Sequence, residues 1–91
     1  MRPGSSEAHY GLGLAYLHAR RPLDAIPPLE EAVRLAAADV NPRTDLAAAY
    51  VFVGRLPDAE REYRLLIEMK PAETRFKTAL DTVLALRARA K

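Results

Sequence analysis

The feature that most constrains the fold of this chain is its similarity to itself at an offset of 34 residues. Residues 6–39 align with residues 40–73 without a gap, and residues 74–91 follow as half of a further unit. A fixed period of about 20 to 50 residues is typical of stacked units that are each too small to bury an apolar face alone. The chain is therefore predicted to form one stacked array. The identical pairs include Leu12 and Leu46, Ala15 and Ala49, Tyr16 and Tyr50, Arg21 and Arg55, Asp24 and Asp58, and Ala25 and Ala59.

Apolar residues within each unit recur at steps of three and four, which is the spacing of one face of an α-helix. Each unit is predicted to open with such a helix, whose apolar stripe faces the core. A second helix follows in each unit, from about residue 23 to 37 and from about residue 57 to 70, so each unit is a helical hairpin. The predicted core stripes of the first helices are Ala8, Leu12, Ala15 and Tyr16, and Leu46, Ala49, Tyr50 and Val53.

Caps and turns support this division into hairpins. Pro22 and Pro57 lie where a helix can begin, because the first helical residue needs no backbone donor. Gly54 is predicted to take the left-handed conformation that commonly ends a helix. Asn41 followed by Pro42 is predicted to be the N-cap and first residue of the third helix. Short turns of this kind favour antiparallel neighbours.

Two features of the second helices lead to further predictions. Pro27 and Pro28 lie beyond the first turn of their helix, where proline removes a backbone donor and crowds a carbonyl, so a kink or a restart is expected. Acidic residues on these helices are expected on solvated outer faces. They are Glu30, Glu31, Glu60 and Glu62.

Residues 74–91 are predicted to form a fifth amphipathic helix that has no partner helix of its own. Its role would be to cover the apolar flank of the second hairpin, since terminal repeats need capping. Residues 1–5 are expected to be a disordered leader. The predicted apolar stripe of the fifth helix is Phe76, Ala79, Leu80, Val83 and Leu84.

The spacing of large and small residues resembles the tetratricopeptide repeat (TPR), a family with 34-residue helical hairpins. The resemblance covers residues 6–91, with repeats at 6–39 and 40–73 and a capping helix at 74–91. His9 and Arg43 depart from the family pattern, which has a large aromatic residue there. The matching residues are Leu12, Gly13, Tyr16, Ala25 and Leu29 in the first unit, and Leu46, Ala47, Tyr50, Ala59, Tyr63 and the closing Pro71 in the second.

This resemblance implies an all-α fold, a right-handed superhelix of five antiparallel helices whose first helices line a concave groove. TPR grooves usually hold a peptide or helix of another protein. The corresponding face here is unusually apolar, and contiguous exposed apolar patches commonly mark interaction sites. The predicted groove residues are Tyr10, Leu14, Leu17, His18, Asp45, Ala48, Val51, Phe52, Arg75, Thr82 and Leu86.

Three kinds of partner are compatible with these features. The first is an apolar peptide or helix of another protein, held in the groove. The second is another copy of the chain, joined through the groove or the C-terminal helix. The third, ranked last, is nucleic acid bound by the basic C-terminal segment. It is ranked last because Phe76, the aromatic among those cations, belongs to the core stripe. The cations in question are Arg75, Lys77, Arg87, Arg89 and Lys91.

Catalytic chemistry finds no support in the sequence. The chain has no cysteine, which excludes thiol nucleophiles and cysteine-based metal sites. His9 and His18 fall on opposite faces of one helix and cannot share a metal. Gly11 and Gly13 lie inside a helix and form no phosphate-binding loop. We expect no catalytic residue, no cofactor and no metal.

The cellular location of the protein is predicted from two kinds of segment, a membrane-spanning stretch and an N-terminal signal. The longest uncharged stretch, residues 46–54, is too short to span a bilayer. The N-terminal residues show no apolar signal segment. We therefore expect no membrane insertion and a cytoplasmic location.

Overall fold

The computed structural model describes residues 5–90, and within that range the chain forms five α-helices and no strand. Consecutive helices pack against each other along the chain, and α1 also contacts α3. The all-α prediction is therefore confirmed. The helices are α1 (Ser6–His18), α2 (Pro22–Leu35), α3 (Val40–Phe52), α4 (Leu56–Met69) and α5 (Thr74–Arg89).

Helix α1 begins after a serine N-cap, and the predicted N-cap of α3 is wrong. The Ser5 hydroxyl accepts a hydrogen bond from the backbone N–H of Ala8 at 3.1 Å, as an N-cap does. In α3 the cap is Asp39, whose carboxylate accepts from the N–H of Asn41 at 3.0 Å. Asn41 is therefore inside the helix. Two capping residues stand close together in the sequence, and the turn after α2 brings Asp39 into position.

Helix α2 continues through both of its internal prolines, so the helix does not restart. Pro27 and Pro28 remove the donors that would otherwise reach the carbonyls of Leu23 and Asp24. Leu23 and Asp24 are exposed residues, which lets water satisfy those carbonyls. The cost of the prolines is thereby reduced.

The core lies between the helices along the length of the array. Tyr50 is 1% exposed, and its hydroxyl donates to the Glu30 carboxylate of α2 at 2.6 Å. Burial, followed by this hydrogen bond, raises the pKa of Tyr50 above its usual value. Helix α5 contributes Phe76, Leu80 and Val83, which are buried. The core thus reaches from α2 to α5.

The predicted core stripe of α1 is wrong for two of its residues. Leu12 is 49% exposed and Ala15 is exposed, whereas Leu46 and Ala49 at the same positions of α3 are buried. The 34-residue period predicts that all four residues are buried, because each lies on the helix face against which a preceding helix would pack. Helix α2 covers α3 on that side, and no helix within residues 5–90 covers α1 there.

Glu62 was expected on a solvated face and is instead buried, at 5% exposed. Its carboxylate pairs with Arg43 of α3 at 2.7 Å and with Arg61 of α4 at 3.1 Å. Arg43 occupies the position of the large aromatic residue of a TPR, and its side chain is only 12% exposed. A buried ion pair thus lies where a TPR has aromatic packing.

Two remaining expectations concern the ends and the membrane. Gly54 has φ of +82°, as predicted for the residue that ends α3. The proposed leader at residues 1–5 lies outside the described residues except for Ser5, the cap of α1. Among the helices described, none has both the length and the apolar character needed to cross a membrane.

Candidate functional site

A concavity of about 400 Å³ opens between α1 and α3 on the face formed by the first helices of the hairpins. Most of its wall is apolar, and Arg20 and Asp45 are its charged residues. Arg20 has no carboxylate within ion-pair distance among residues 5–90 and is exposed. The concavity therefore combines an apolar wall with an available cation. Its lining residues are Leu17, Arg20, Pro22, Asp45, Ala48 and Phe52.

A second concavity, of about 250 Å³, lies between α3 and α5. Ala48 and Phe52 line both concavities, so Phe52 stands between them. The Phe52 side chain is 72% exposed, the largest exposure among the exposed large apolar residues. The two concavities and this ring form one continuous surface, called here the groove. The second concavity is lined by Ala48, Val51, Phe52, Tyr63, Ala79, Thr82 and Val83.

The structure brings six of the predicted groove residues into these concavities and leaves five outside them. His18 and Arg75 are exposed, and Arg75 pairs with Glu73 at 3.2 Å. Leu14 and Leu86 are half-buried, as is Tyr10. The six residues that line the groove are Leu17, Asp45, Ala48, Val51, Phe52 and Thr82.

Tyr10 affects the groove indirectly, through its hydrogen bond to Asp45. Its hydroxyl donates to the Asp45 carboxylate at 2.5 Å and so links α1 to α3. Burial of the phenol, followed by this hydrogen bond, raises the pKa of Tyr10 above its usual value. The bond fixes the Asp45 side chain in the wall of the first concavity, and Tyr10 is thus a positioning residue.

Sequence reasoning missed five residues of the groove, for two physical reasons. Ala79 and Val83 were assigned to the apolar stripe of the fifth helix and Tyr63 to the repeat pattern, and each of the three is largely buried where it reaches the groove. Arg20 and Pro22 belong to the turn after α1. Arg20 has φ of +60°, and at an offset of 34 residues it aligns with Gly54, which is also left-handed. The alignment of Arg20 with Gly54 could therefore have predicted the left-handed backbone of Arg20.

The basic C-terminal segment is partly neutralised by its neighbours. Arg87 hydrogen-bonds to the Glu60 carboxylate of α4, and Arg64 shares the same carboxylate at 2.9 Å. The hydrogen bond from Arg64, followed by the one from Arg87, lowers the pKa of Glu60. The guanidinium of Arg75 lies 4.6 Å from the centroid of the Phe76 ring. Arg87 thus serves to hold α5 on α4.

Metal binding has no candidate site in the described part of the chain. Residues 5–90 contain no group of three or more His, Cys, Asp or Glu side chains that could hold a metal ion. His9 and His18 belong to opposite faces of α1, one half-buried and one exposed. The charged groups available in the groove are one guanidinium and one carboxylate, and most of the remaining lining is apolar.

Comparison with known proteins defines the class of fold. The chain has the architecture of a TPR-like helical repeat, which confirms the predicted superhelix of antiparallel helices. A solved structure of a mutant of MamA, a TPR-like protein, superposes with a TM-score of 0.85 at 21% sequence identity. The match covers 92% of this chain and 61% of that chain. No family model matches the sequence, and no curated protein matches it.

Proposed function

We propose that this protein is a non-catalytic interaction module that binds an apolar peptide or helix of another protein in its groove. The observation that carries the proposal is Phe52, an aromatic ring 72% exposed between two apolar concavities. Phe52 and its neighbours place large apolar area in water, and covering that area is favourable by about 25 cal/mol per Å². The TPR-like fold supports a role in protein binding.

The two apolar concavities on either side of Phe52 suit a helical occupant. An amphipathic helix presents apolar side chains on one face at steps of three and four residues. Such side chains would enter the concavity beside Leu17 and the concavity beside Val51, on either side of the Phe52 ring. An acidic residue of the ligand near the first anchor would meet Arg20 at the rim. The proposed ligand is therefore an amphipathic helix with apolar anchors and a neighbouring carboxylate.

Selection from a random peptide library on the full chain tests this proposal. We expect the selected peptides to be apolar and amphipathic, and to lose at least about 10-fold in affinity for a Phe52→Ser variant, because truncating a buried aromatic anchor removes about 1.5 to 3 kcal/mol. Leu17→Ser should weaken the same peptides. Affinities are measured by fluorescence anisotropy.

Leu23→Ser is the matched control, since Leu23 is 67% exposed and lines neither concavity. This variant should bind the peptides as the natural chain does. Peptides that bind the Phe52→Ser and Leu17→Ser variants undiminished, with helical circular dichroism intact, would exclude the groove as the binding site.

A second candidate function is the assembly of identical chains. The observation that favours it is exposed apolar surface at both ends of the array, at Leu12 of α1 and at Leu84 of α5, which are 49% and 38% exposed. Self-association would cover these two apolar surfaces with helices of a second copy.

A further inference from the structure

The first concavity of the groove contains a carboxylate that keeps one oxygen for a further hydrogen-bond donor. Asp45 lines this concavity, and its Oδ2 atom accepts a hydrogen bond from the Tyr10 hydroxyl at 2.5 Å. No donor of residues 5–90 reaches its Oδ1 atom, and that atom is not fully enclosed. The Tyr10 hydrogen bond therefore fixes the carboxylate in the wall and leaves its second oxygen accessible.

No cation of the described chain pairs with this carboxylate. Within residues 5–90, no nitrogen of a Lys, Arg or His side chain lies within ion-pair distance of Asp45. Arg20 lines the same concavity and also stays beyond that distance. Arg43, two residues before Asp45, pairs with Glu62 at 2.7 Å. The charge of Asp45 is thus open to a cation of a ligand.

A second tyrosine–carboxylate pair in the molecule offers a comparison. The Tyr50 hydroxyl donates to the Glu30 carboxylate at 2.6 Å, and the Arg55 guanidinium lies 4.7 Å from the centroid of the Tyr50 ring. Over the Tyr10 ring, residues 5–90 place no guanidinium of this kind. A ligand cation at Asp45 would give the pair in the groove a neighbouring cation like the one that the pair in the core already has.

The wall around this carboxylate suits the side chain of lysine or arginine. Leu17, Ala48 and Phe52 line the same concavity and supply apolar contact. Asp45, Ala48 and Phe52 are separated by steps of three and four residues, hence they lie on one face of α3. Lysine and arginine pack their methylene stems on apolar surface while their charged heads reach a polar group. One basic side chain can therefore contact the apolar wall and Asp45 together.

The electrostatic influence of Asp45 extends to the second concavity. Tyr63 lines that concavity and is 7% exposed. Burial, followed by the charge of Asp45, raises the pKa of the Tyr63 phenol. Charges interact more strongly beside a wall of low dielectric constant than in bulk water. The groove near α3 and α4 thus favours a cation and disfavours a carboxylate.

We infer that the groove recognises a basic residue of its ligand, whose lysine or arginine side chain lies on the apolar wall beside Leu17 and donates a hydrogen bond to Oδ1 of Asp45. The inference rests on the proposed binding of an amphipathic helix and adds one specific group to that ligand. An apolar helix without a basic residue would still cover Phe52, but it would leave the Asp45 carboxylate without a partner and bind less tightly.

Peptides selected from the random library test the inference. We expect them to carry lysine or arginine, and each is synthesised again with norleucine at the basic position, which keeps an apolar stem and removes the charge. All peptides are N-acetylated and C-amidated, so that their termini are uncharged. The norleucine forms should bind at least about 5-fold more weakly, because hydrogen bonds between charged groups are the strong ones.

The variant that tests the protein side is Asp45→Asn, whose amide oxygen can still accept from Tyr10. It should weaken the basic peptides by a similar factor and leave the norleucine peptides unchanged, with helical circular dichroism intact. Asp81→Asn is the matched control, because it removes the same charge from an exposed residue that lines neither concavity. This control should bind both forms as the natural chain does.

A small probe tests Asp45 without any peptide. The n-hexylammonium ion has an apolar stem and a cationic head, and n-hexanol is its uncharged counterpart. At millimolar concentration, n-hexylammonium should shift the backbone amide NMR signals of Leu17, Asp45 and Ala48 more than n-hexanol does, since these residues line the first concavity. Asp45→Asn should abolish this difference, and Asp81→Asn should keep it.

The outcomes separate this inference from the proposed function. Groove peptides that lack a basic residue, or norleucine forms that bind as tightly as basic ones while Phe52→Ser still abolishes binding, would overturn the inference alone. Peptides that are insensitive to Phe52→Ser would exclude the groove as the peptide site, and equal shifts by the two small probes would then overturn the inference too. A peptide affinity that rises in Arg2→Ala would mean that Arg2 of the same chain occupies Asp45, which would also overturn it.

Discussion

The two glycines of α1 differ in what surrounds them, although they lie two residues apart. A Cβ atom on Gly13 would lie 2.6 Å from Cγ and Cδ2 of the fully buried Leu29, whereas a Cβ on Gly11 would meet nothing within 4 Å. Close approach of α1 and α2 thus requires glycine at position 13 alone. The sequence comparison indicated a small residue there, because Gly13 aligns with the buried Ala47.

This difference predicts opposite effects of the same substitution. Gly11→Ala should stabilise the protein by about 1 kcal/mol, which is the gain in helix propensity. Gly13→Ala has the same gain but must displace Leu29, and overpacking costs about 1 to 3 kcal/mol, so we expect a net loss. Urea unfolding measures both. Equal stabilisation by the two variants would show that Leu29 yields without cost.

Replacing Arg20 by glycine is expected to raise the free energy of unfolding and to lower the affinity for acidic groove peptides. Its φ of +60° costs a residue with a side chain about 1 kcal/mol relative to glycine. Arg20→Gly should therefore raise the free energy of unfolding by about 0.5 to 1 kcal/mol, part of the gain being offset by the greater freedom of glycine in the unfolded chain. The measurement is again urea unfolding.

The matched variant is Arg20→Ala, which removes the guanidinium and keeps the left-handed backbone strain. It should leave stability nearly unchanged. Both variants should weaken acidic groove peptides to the same extent, since both remove the cation at the rim of the first concavity. A stabilising effect of alanine equal to that of glycine would mean that the backbone at Arg20 is not strained.

At the scale of elements, α3 and α4 are joined by the buried pair of Arg43 and Glu62. Glu62→Ala should destabilise the protein by about 3 kcal/mol, because removing one partner leaves the other charge buried and uncompensated. Replacing both residues by methionine should restore most of the loss, because apolar side chains of similar size fill the space without charge. Chemical unfolding compares the three proteins. If the double variant is as unstable as the single one, the Arg43–Glu62 pair stabilises the protein by more than the mutual neutralisation of its two charges.

Most of the elements could be predicted from the sequence, and the errors have physical causes. The helical period fixed the number and order of the helices, and Gly54 marked the end of α3 correctly. The cap of α3 was missed because Asp39 and Asn41 both suit that role. The exposure of Leu12 was missed because the 34-residue period states which face of a helix is apolar and does not state whether a neighbouring helix covers it.

The candidate groove could be predicted in part. Phe52 and Leu17 were found because apolar residues stood on a face opposite the core stripe. Tyr63 and Val83 were missed because each is a core residue whose edge alone reaches the groove. Whether the edge of a core residue reaches the groove depends on the distance between the two neighbouring helices. Residue types do not encode that distance directly.

At the scale of the whole molecule, the helices form a row in which packing is chiefly between neighbours along the chain. Stability should therefore vary along the row. Only Gly13 of α1 is buried, whereas α3 buries five residues. We expect amide hydrogen exchange to be fastest in α1 and slowest in α3, since local opening follows the number of buried contacts. Exchange measured by NMR that is uniform across the helices would contradict this order.

The thinness of the molecule has a thermal consequence. The folded chain measures 42 × 28 × 17 Å, so its interior is little more than one layer of side chains deep. Unfolding of such a slab hydrates less fresh apolar surface than unfolding of a sphere of equal mass, and the heat capacity increment follows that surface. The curve of stability against temperature is accordingly broad and shallow: warming or cooling by tens of degrees shifts the folded fraction gently.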